Sequence, residues 1–170
     1  MLGVFEYSLL LLFPAFMALA AMLDLFTMTI PNRISLFLVA AFCVVAPVTG
    51  MGWEQFAIHF GVGAAVLVAG FLLFALGFLG GGDAKLLAAA SLWIGYHDLL
   101  SYLVIVAQFG AVLAIAILVY RRMIPAHVIP NQAWTERLHN KKQGIPYGIA
   151  LACGALWVFP QTEWFFSVAV

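Results

Sequence analysis

The hydrophobic residues of this chain occur in long continuous runs rather than in the alternating or one-sided patterns of soluble strands and helices. A run of about 20 apolar residues is long enough for a helix to cross a lipid bilayer. The runs predict six transmembrane helices, over about residues 4–23, 34–49, 56–79, 84–95, 99–120 and 145–159. Residues 164–170 are apolar but too few to cross, so we expect an interfacial end with Trp164 as an aromatic anchor.

Composition supports the same fold class. The 170 residues are 66% hydrophobic and 8% charged, with a mean hydropathy of +1.12, whereas a soluble domain is about half apolar and a quarter charged. We therefore predict an all-α polytopic membrane protein with a single domain over residues 1–170. Its spans are expected to contact the lipid bilayer. The formal net charge of zero and the lack of a basic stripe argue against nucleic-acid binding. The pattern does not define the number of subunits.

The basic residues indicate the orientation. With the N-terminus outside, the loops after the first, third and fifth spans are cytoplasmic, and they hold every Lys and Arg of the chain: Arg33, Lys85, Arg121, Arg122, Arg137, Lys141 and Lys142. On the opposite side there is no Lys or Arg, and the charged residues are Glu6, Glu54, Asp98 and Glu163. Because cytoplasmic loops are enriched in Lys and Arg, this asymmetry predicts an external N-terminus.

A short polar sequence, Gly80-Gly81-Gly82-Asp83-Ala84-Lys85, separates two of the apolar runs. Asp83 is therefore expected at or just inside the cytoplasmic membrane surface, where a carboxylate is costly and usually functional. The glycines before it permit positive φ angles and leave room for another chain to approach. The alternative is that Asp83 only caps the following helix, since Asp is a favoured capping residue.

Asp24 is the second acidic residue at a predicted cytoplasmic helix end. Capping does not explain it, because an anion at a helix C-terminus faces the negative end of the helix dipole. Pro31 is expected to break the helix, so that Pro31-Asn32-Arg33 forms the turn towards the second span. The topology thus delivers two carboxylates, from the first and fourth spans, to the same depth.

Two carboxylates that approach closely resist simultaneous ionisation and titrate as a unit. One member can then act as a base on water, while the other, protonated, polarises a peptide carbonyl and later supplies a proton to the leaving amine. If they meet, Asp24 and Asp83 form a proton-sharing pair suited to peptide hydrolysis.

Three sequence elements, taken in order, resemble the prepilin peptidases: Asp24 followed by Pro31-Asn32, then Gly80-x-Gly82-Asp83 with Lys85 two positions on, then Ile145-Pro146-Tyr147-Gly148-Ile149-Ala150. The last is similar to a Pro-Tyr-Gly segment of the small members that serve tight-adherence (Tad, Flp-type) pili. Presenilin-like and signal-peptide-peptidase-like proteases share Gly-x-Gly-Asp alone. The three elements together are more specific and cover nearly the whole chain.

The resemblance implies an aspartic endopeptidase of the bacterial inner membrane. It would remove the short basic leader of prepilin or pseudopilin precursors at the cytoplasmic face, cutting after a glycine just ahead of the hydrophobic segment. Asp24 and Asp83 would be the catalytic pair. The residues expected to shape the site or bind substrate are Gly80, Gly81, Gly82, Lys85, Pro31 and Asn32. Lys85 would either pair with an acidic residue of the precursor or extend to lipid headgroups.

Larger members of the family also methylate the new N-terminus and carry a cytoplasmic insert with paired Cys-x-x-Cys motifs. This chain has neither the insert nor those cysteines, so we expect no methyltransferase activity. Its four histidines fit no metal-binding spacing, and we expect no metal and no cofactor.

Two other functions stay open. A presenilin-like intramembrane protease would carry its acids deeper within the helices. A small transporter or assembly protein would need ionisable residues distributed through the bilayer, and the sequence offers only His59 well inside a span.

Overall fold

The computed structural model describes residues 8–125, 128, 132–141 and 143–169, and excludes the side chains of residues 168 and 169. Over these ranges it is all-helical, as predicted. The helices are α1 (Leu12–Thr27), α2 (Asn32–Val48), α3 (Trp53–Ala75), α4 (Gly81–Met123), α5 (Ala133–His139), α6 (Gly148–Val158) and α7 (Glu163–Ala169). A 3₁₀ turn, Phe159–Gln161, joins α6 to α7.

Helix α4 consists of two helical segments that meet at Gly95. Gly95 has φ 80° and ψ −178°, a conformation that is essentially restricted to glycine. We call the segments α4a (residues 81–94) and α4b (residues 96–123). The break falls at the end of the predicted fourth span, so residues 81–123 do not form one straight rod.

In the part of the chain that the structure describes, three helical stretches are long and apolar enough to cross a membrane: Ser8–Thr27, Trp53–Ala75 and Gly81–Met123. Helix α2 and the stretch Gly148–Gln161 are apolar but shorter. The chain is thus an all-helical membrane protein, while six spans and an external N-terminus stay predictions. The predicted start of the first span, residues 4–7 including Glu6, lies outside the described residues, as does Lys142.

Several boundaries differ from the prediction. Helix α3 ends at Ala75 rather than at residue 79, because the chain turns over residues 76–79 with Gly77 at φ 77°. The predicted polar segment after α4b contains the short helix α5. Apolar runs could not reveal either feature, since the first depends on a glycine conformation and the second lies among polar residues.

The core is richest in aromatic side chains near the junction of α4a and α4b. Trp93 is fully buried, stacks on Phe13 and donates its indole N–H to the Leu38 carbonyl at 2.9 Å. Trp164 was expected at the interface, but it is 4% exposed and donates to Thr49 Oγ1 at 3.0 Å. That expectation was wrong because α7 folds back onto the bundle, where Trp164 packs at 5.4 Å from Trp93.

Candidate functional site

Asp24 lies in the last turn of α1 and is 5% exposed. Its Oδ2 accepts a hydrogen bond from the backbone N–H of Gly148 at 2.7 Å. Gly148 is the first residue of α6, so the carboxylate at the unfavourable end of α1 faces the N-terminus of another helix. The free N–H groups and the positive dipole end of a helix N-terminus favour an anion. This contact explains why an acid can stand at this position of α1.

Asp83 occupies the first turn of α4a, three residues after Gly80, which precedes the helix. Its carboxylate accepts a hydrogen bond from the backbone N–H of Gly80, the geometry of half a capping box. The capping interpretation is therefore correct for the local contact, although Asp83 is the third helical residue rather than the cap itself. Capping does not exclude a second role, because a carboxylate oxygen retains further acceptor sites.

The structure brings the two acids together. Asp24 is close enough to Asp83 for the two charges to interact. Ile30, on the turn between α1 and α2, packs against both helix starts: a Cβ at Gly82 would lie 3.2 Å from Ile30 Cβ, and one at Gly148 would lie 3.0 Å from Ile30 Cδ1. Each carboxylate is thus held at a helix N-terminus, with the same side chain beside both.

The glycines of the Asp83 motif serve close approach rather than unusual backbone angles. None of Gly80, Gly81 and Gly82 has a positive φ. A Cβ at Gly80 would lie 2.6 Å from Asp83 Oδ2, and one at Gly81 would lie 3.3 Å from the Phe74 ring. The expected use of positive φ was therefore wrong for these residues. The missing side chains instead let Ile30 and Phe74 of the same chain pack closely, and room for another chain stays a prediction.

Pro31 and Asn32 join the site to α2. Pro31 directly precedes α2 with φ −62° and ψ 135°, and Asn32 is the first helical residue. The turn begins three residues earlier than predicted and covers residues 28–31, with Met28 left-handed at φ 55°. Asn32 Oδ1 accepts a hydrogen bond from Lys85 Nζ at 2.9 Å. Every residue expected at the site therefore lies in one region of the molecule.

Sequence reasoning did not assign Gly148 to the site. Gly148 belongs to the Ile145–Ala150 segment that resembles the small Tad-type enzymes, so the sequence did draw attention to it. Its contact with Asp24 could not be predicted, however, because every residue except proline has a backbone N–H. A Cβ at Gly148 would lie 2.9 Å from Asp24 Oδ2. Glycine is thus required where α6 approaches the carboxylate.

Arg121 was expected only to define topology, yet it organises the segment that leads to Gly148. Its Nε donates to the carbonyl of Leu138 at 2.7 Å, and its Nη2 donates to the carbonyls of Gln143 at 3.2 Å and Gly144 at 2.9 Å. Nearby, Arg137 Nη1 donates to the Phe26 carbonyl at 3.3 Å, which connects α5 to the end of α1. These side chains attach the polar segment to the site.

The described residues offer less support for metal catalysis or for a proton path. No group of three His, Cys, Asp or Glu side chains there is placed to hold a metal ion. His59, on which a proton path would depend, is buried against Phe42 and donates its Nδ1–H to the Leu92 carbonyl at 2.8 Å. That contact is typical of a structural histidine.

A family model described as the type IV leader peptidase family matches residues 11–115, more than half of the 170 residues. The match includes both Asp24 and Asp83 and ends before Gly148. No curated protein and no solved structure matches the chain. The resemblance drawn from the sequence elements is confirmed: the chain is a membrane protease that belongs to the type IV leader peptidase family.

Proposed function

We propose that this chain is an aspartic endopeptidase that removes the leader from type IV pilin-like precursors of the Flp or Tad kind. The observation that carries the proposal is the paired placement of Asp24 and Asp83, each accepting an N–H from a glycine at a helix N-terminus and each within electrostatic reach of the other. Such a pair is poised to hold one proton between two carboxylates.

The reaction needs only these two groups and water. The ionised member takes a proton from water as its oxygen adds to the peptide carbonyl carbon, and the protonated member gives its proton to the carbonyl oxygen. When the tetrahedral species collapses, the C–N bond breaks and the proton held by the first member passes to the leaving nitrogen. One hydroxyl proton of the tetrahedral species returns to the second member as the new carboxyl group forms. The glycine N–H groups orient both carboxylates through the cycle, and the pair returns to its starting protonation.

The substrate class follows from the family. Members act on prepilin-like precursors, and this chain's third element resembles the small Tad-type enzymes. The charge asymmetry supports an active site at the cytoplasmic face of the bacterial inner membrane, where a precursor's basic leader is still outside the bilayer. Without the cysteine-containing insert, we infer cleavage without methyl transfer.

Substitution of either acid tests the proposal. In Asp24→Asn and Asp83→Asn the amide keeps the shape of the side chain but cannot exchange the proton, so each variant should lose cleavage by about a thousandfold or more. The measurement is leader removal from a Flp-type precursor in membranes, followed by gel shift and mass spectrometry. The matched control is Asp98→Asn, an acid of α4b remote from the pair. Full cleavage by either site variant would remove that residue from the mechanism.

Chelation gives a second test. Because the two-acid reaction requires no Lewis acid, EDTA should leave the cleavage rate unchanged. A loss of activity that zinc restores would contradict the two-acid mechanism.

A further inference from the structure

Helices α4b and α6 pack along each other through a narrow buried stripe. On α4b the buried residues Tyr102, Val106 and Gly110 recur every four positions, so they share one face of the helix. The Tyr102 hydroxyl donates to the Leu151 carbonyl of α6 at 3.3 Å. A Cβ at Gly154 would lie 2.5 Å from Val106 Cγ2. Later residues of α4b meet earlier residues of α6, so Gly110 lies at the end of the stripe where α6 begins.

Tyr147, the residue immediately before α6, packs its ring against Gly110. A Cβ at Gly110 would lie 2.5 Å from Tyr147 Cζ and 2.6 Å from its Cε2, inside the space that the ring occupies. Glycine is therefore required here if the ring is to lie against the buried face of α4b. Tyr147 is half-buried and also packs against the hydrophobic core, so the contact anchors the start of α6 to α4b.

The anchored residue shares a peptide unit with the donor to Asp24. The Tyr147 carbonyl accepts a hydrogen bond from the Leu151 N–H at 3.1 Å. The Gly148 N–H, which belongs to the same peptide unit, donates to Asp24 Oδ2 at 2.7 Å. Because a peptide unit is planar and rigid, its carbonyl and its N–H move together. A displacement of Tyr147 must therefore move the Gly148 N–H relative to the carboxylate.

We propose that Tyr147 is a positioning residue for the reaction: its ring, packed against Gly110, holds the Gly148 N–H where it orients Asp24. The inference rests on the proposed function and names the contact that keeps one of its two carboxylates in place. Asp24 lies in the last turn of α1, where its own helix has no free N–H to offer. Its orientation therefore depends on the placement of α6, and a small misplacement of a reacting group can cost a large part of the rate.

Substitution of Gly110 tests the contact. Gly110→Ala places a methyl group in the space of the Tyr147 ring, so the ring and the peptide unit beside it must shift. We expect kcat for a Flp-type precursor to fall about tenfold while KM stays within about twofold, because the change affects the orientation of a reacting group. Gly61→Ala is the matched control, since it is the same change in a helix where a Cβ meets open space. An unchanged kcat in Gly110→Ala would overturn the proposal.

Variants of Tyr147 separate the ring from the hydroxyl group. Tyr147→Phe keeps the ring and should lose no more than about threefold in kcat, whereas Tyr147→Ala should lose about tenfold. In Gly110→Ala/Tyr147→Ala the added methyl meets space that the ring has left, so kcat should be no lower than in Tyr147→Ala alone. Two outcomes would contradict the proposal: a loss of about a hundredfold in the double variant, which is the product of two independent effects, or equal losses in Tyr147→Phe and Tyr147→Ala.

Gly154→Ala separates positioning from general packing of the two helices. It crowds the same interface, at Val106, but lies six residues, or about 9 Å, further along α6 than Gly148. We expect a lower midpoint of thermal unfolding in detergent, with kcat close to that of the wild type well below that temperature. If Gly154→Ala and Gly110→Ala reduce kcat equally, the packing of the whole interface, and not Tyr147, positions the donor.

The two proposals fail separately. If Asp24→Asn abolishes cleavage but Gly110→Ala and Gly61→Ala have the same kcat, Tyr147 is not a positioning residue and the peptidase proposal stands. If Asp24→Asn still cleaves, the two-acid mechanism fails. Thermal unfolding of the single and double variants then still shows whether Gly110 and Tyr147 are coupled, because that coupling does not depend on activity.

Discussion

At one end of α4a, Trp93 is surrounded by Phe13, Phe159 and Trp164, and its N–H reaches the Leu38 carbonyl. At the other end, Asp83 is surrounded by glycines and by the turn that carries Ile30. About ten residues, or 15 Å of helix, separate these two environments. The aromatic end fixes the positions of the helices by packing of large rings, whereas the glycine-rich end brings backbone N–H donors close to the acids.

The difference teaches how a small bundle can support a site without a large core around it. Large rings concentrate buried area and van der Waals contact at one end, and the helices project from there towards the acids. The Trp93 end of α4a thus mainly provides stability, and the Asp83 end mainly provides the chemical groups. Substitutions at the aromatic end should therefore affect unfolding first, and substitutions at the glycine-rich end should affect cleavage first.

The largest expected effect on stability comes from Trp93→Ala. Removing this fully buried ring should reduce the free energy of unfolding by about 3–5 kcal/mol, since a large cavity opens in the core. Thermal unfolding in detergent, followed by circular dichroism, measures the change. Trp157→Ala is the control, because Trp157 is 60% exposed. Equal losses in the two variants would contradict the assignment of stability to the aromatic end.

Gly148→Ala tests the opposite end. The added Cβ would lie 2.9 Å from Asp24 Oδ2, so the carboxylate must move and its hydrogen bond weakens. A hydrogen bond to a charged group contributes about 1.5–3 kcal/mol, and we expect kcat to fall by tenfold or more with a small change in thermal stability. Gly144→Ala, where a Cβ meets open space, should cleave like the wild type. Undiminished cleavage by Gly148→Ala would remove this N–H from the site.

Arg121→Gln should have a smaller effect on the same end. The variant loses three contacts to the carbonyls of the segment before Gly148, so the N-terminus of α6 is held less firmly. We expect kcat to fall about tenfold, because the Gly148 N–H that donates to Asp24 is then held less precisely. Arg122→Gln removes the same charge from the neighbouring position. If both variants behave alike, charge rather than positioning explains the effect.

The smallest effect on cleavage is expected from Trp164→Phe. The variant keeps a six-membered aromatic ring but loses the pyrrole part of the indole and its N–H to Thr49 Oγ1, which should cost about 2 kcal/mol of unfolding free energy and leave cleavage unchanged. Trp53→Phe is the control, since Trp53 is 78% exposed. A loss of cleavage in Trp164→Phe would show that the two ends are coupled.

Much of this architecture could be predicted from the sequence because it depends on local patterns. Apolar runs located the long helices, and Pro31 located the turn after α1 to within a few residues. Asp24 and Asp83 were identified because charged side chains at the ends of apolar runs are conspicuous and costly.

The rest could not be predicted, because it depends on where distant segments meet. The donor for Asp24 is the backbone N–H of Gly148, 124 residues away along the chain, and a backbone donor cannot be recognised from the residue type. Trp164 looks like an interfacial anchor in sequence, but its burial is decided by the path of α7. A groove lies between α2 and α3, and it depends on how these two helices pack on α4a and not on either helix alone.

The side chain of Ile30 contributes to the spacing of the two acids. This side chain belongs to a connecting turn, yet it touches the starts of both α4a and α6. Because it lies against both helix starts, its size contributes to the distance between them, together with the direct packing of α4 on α6. Exchanging isoleucine for valine or leucine at this position is therefore expected to change the distance between Asp24 and Asp83.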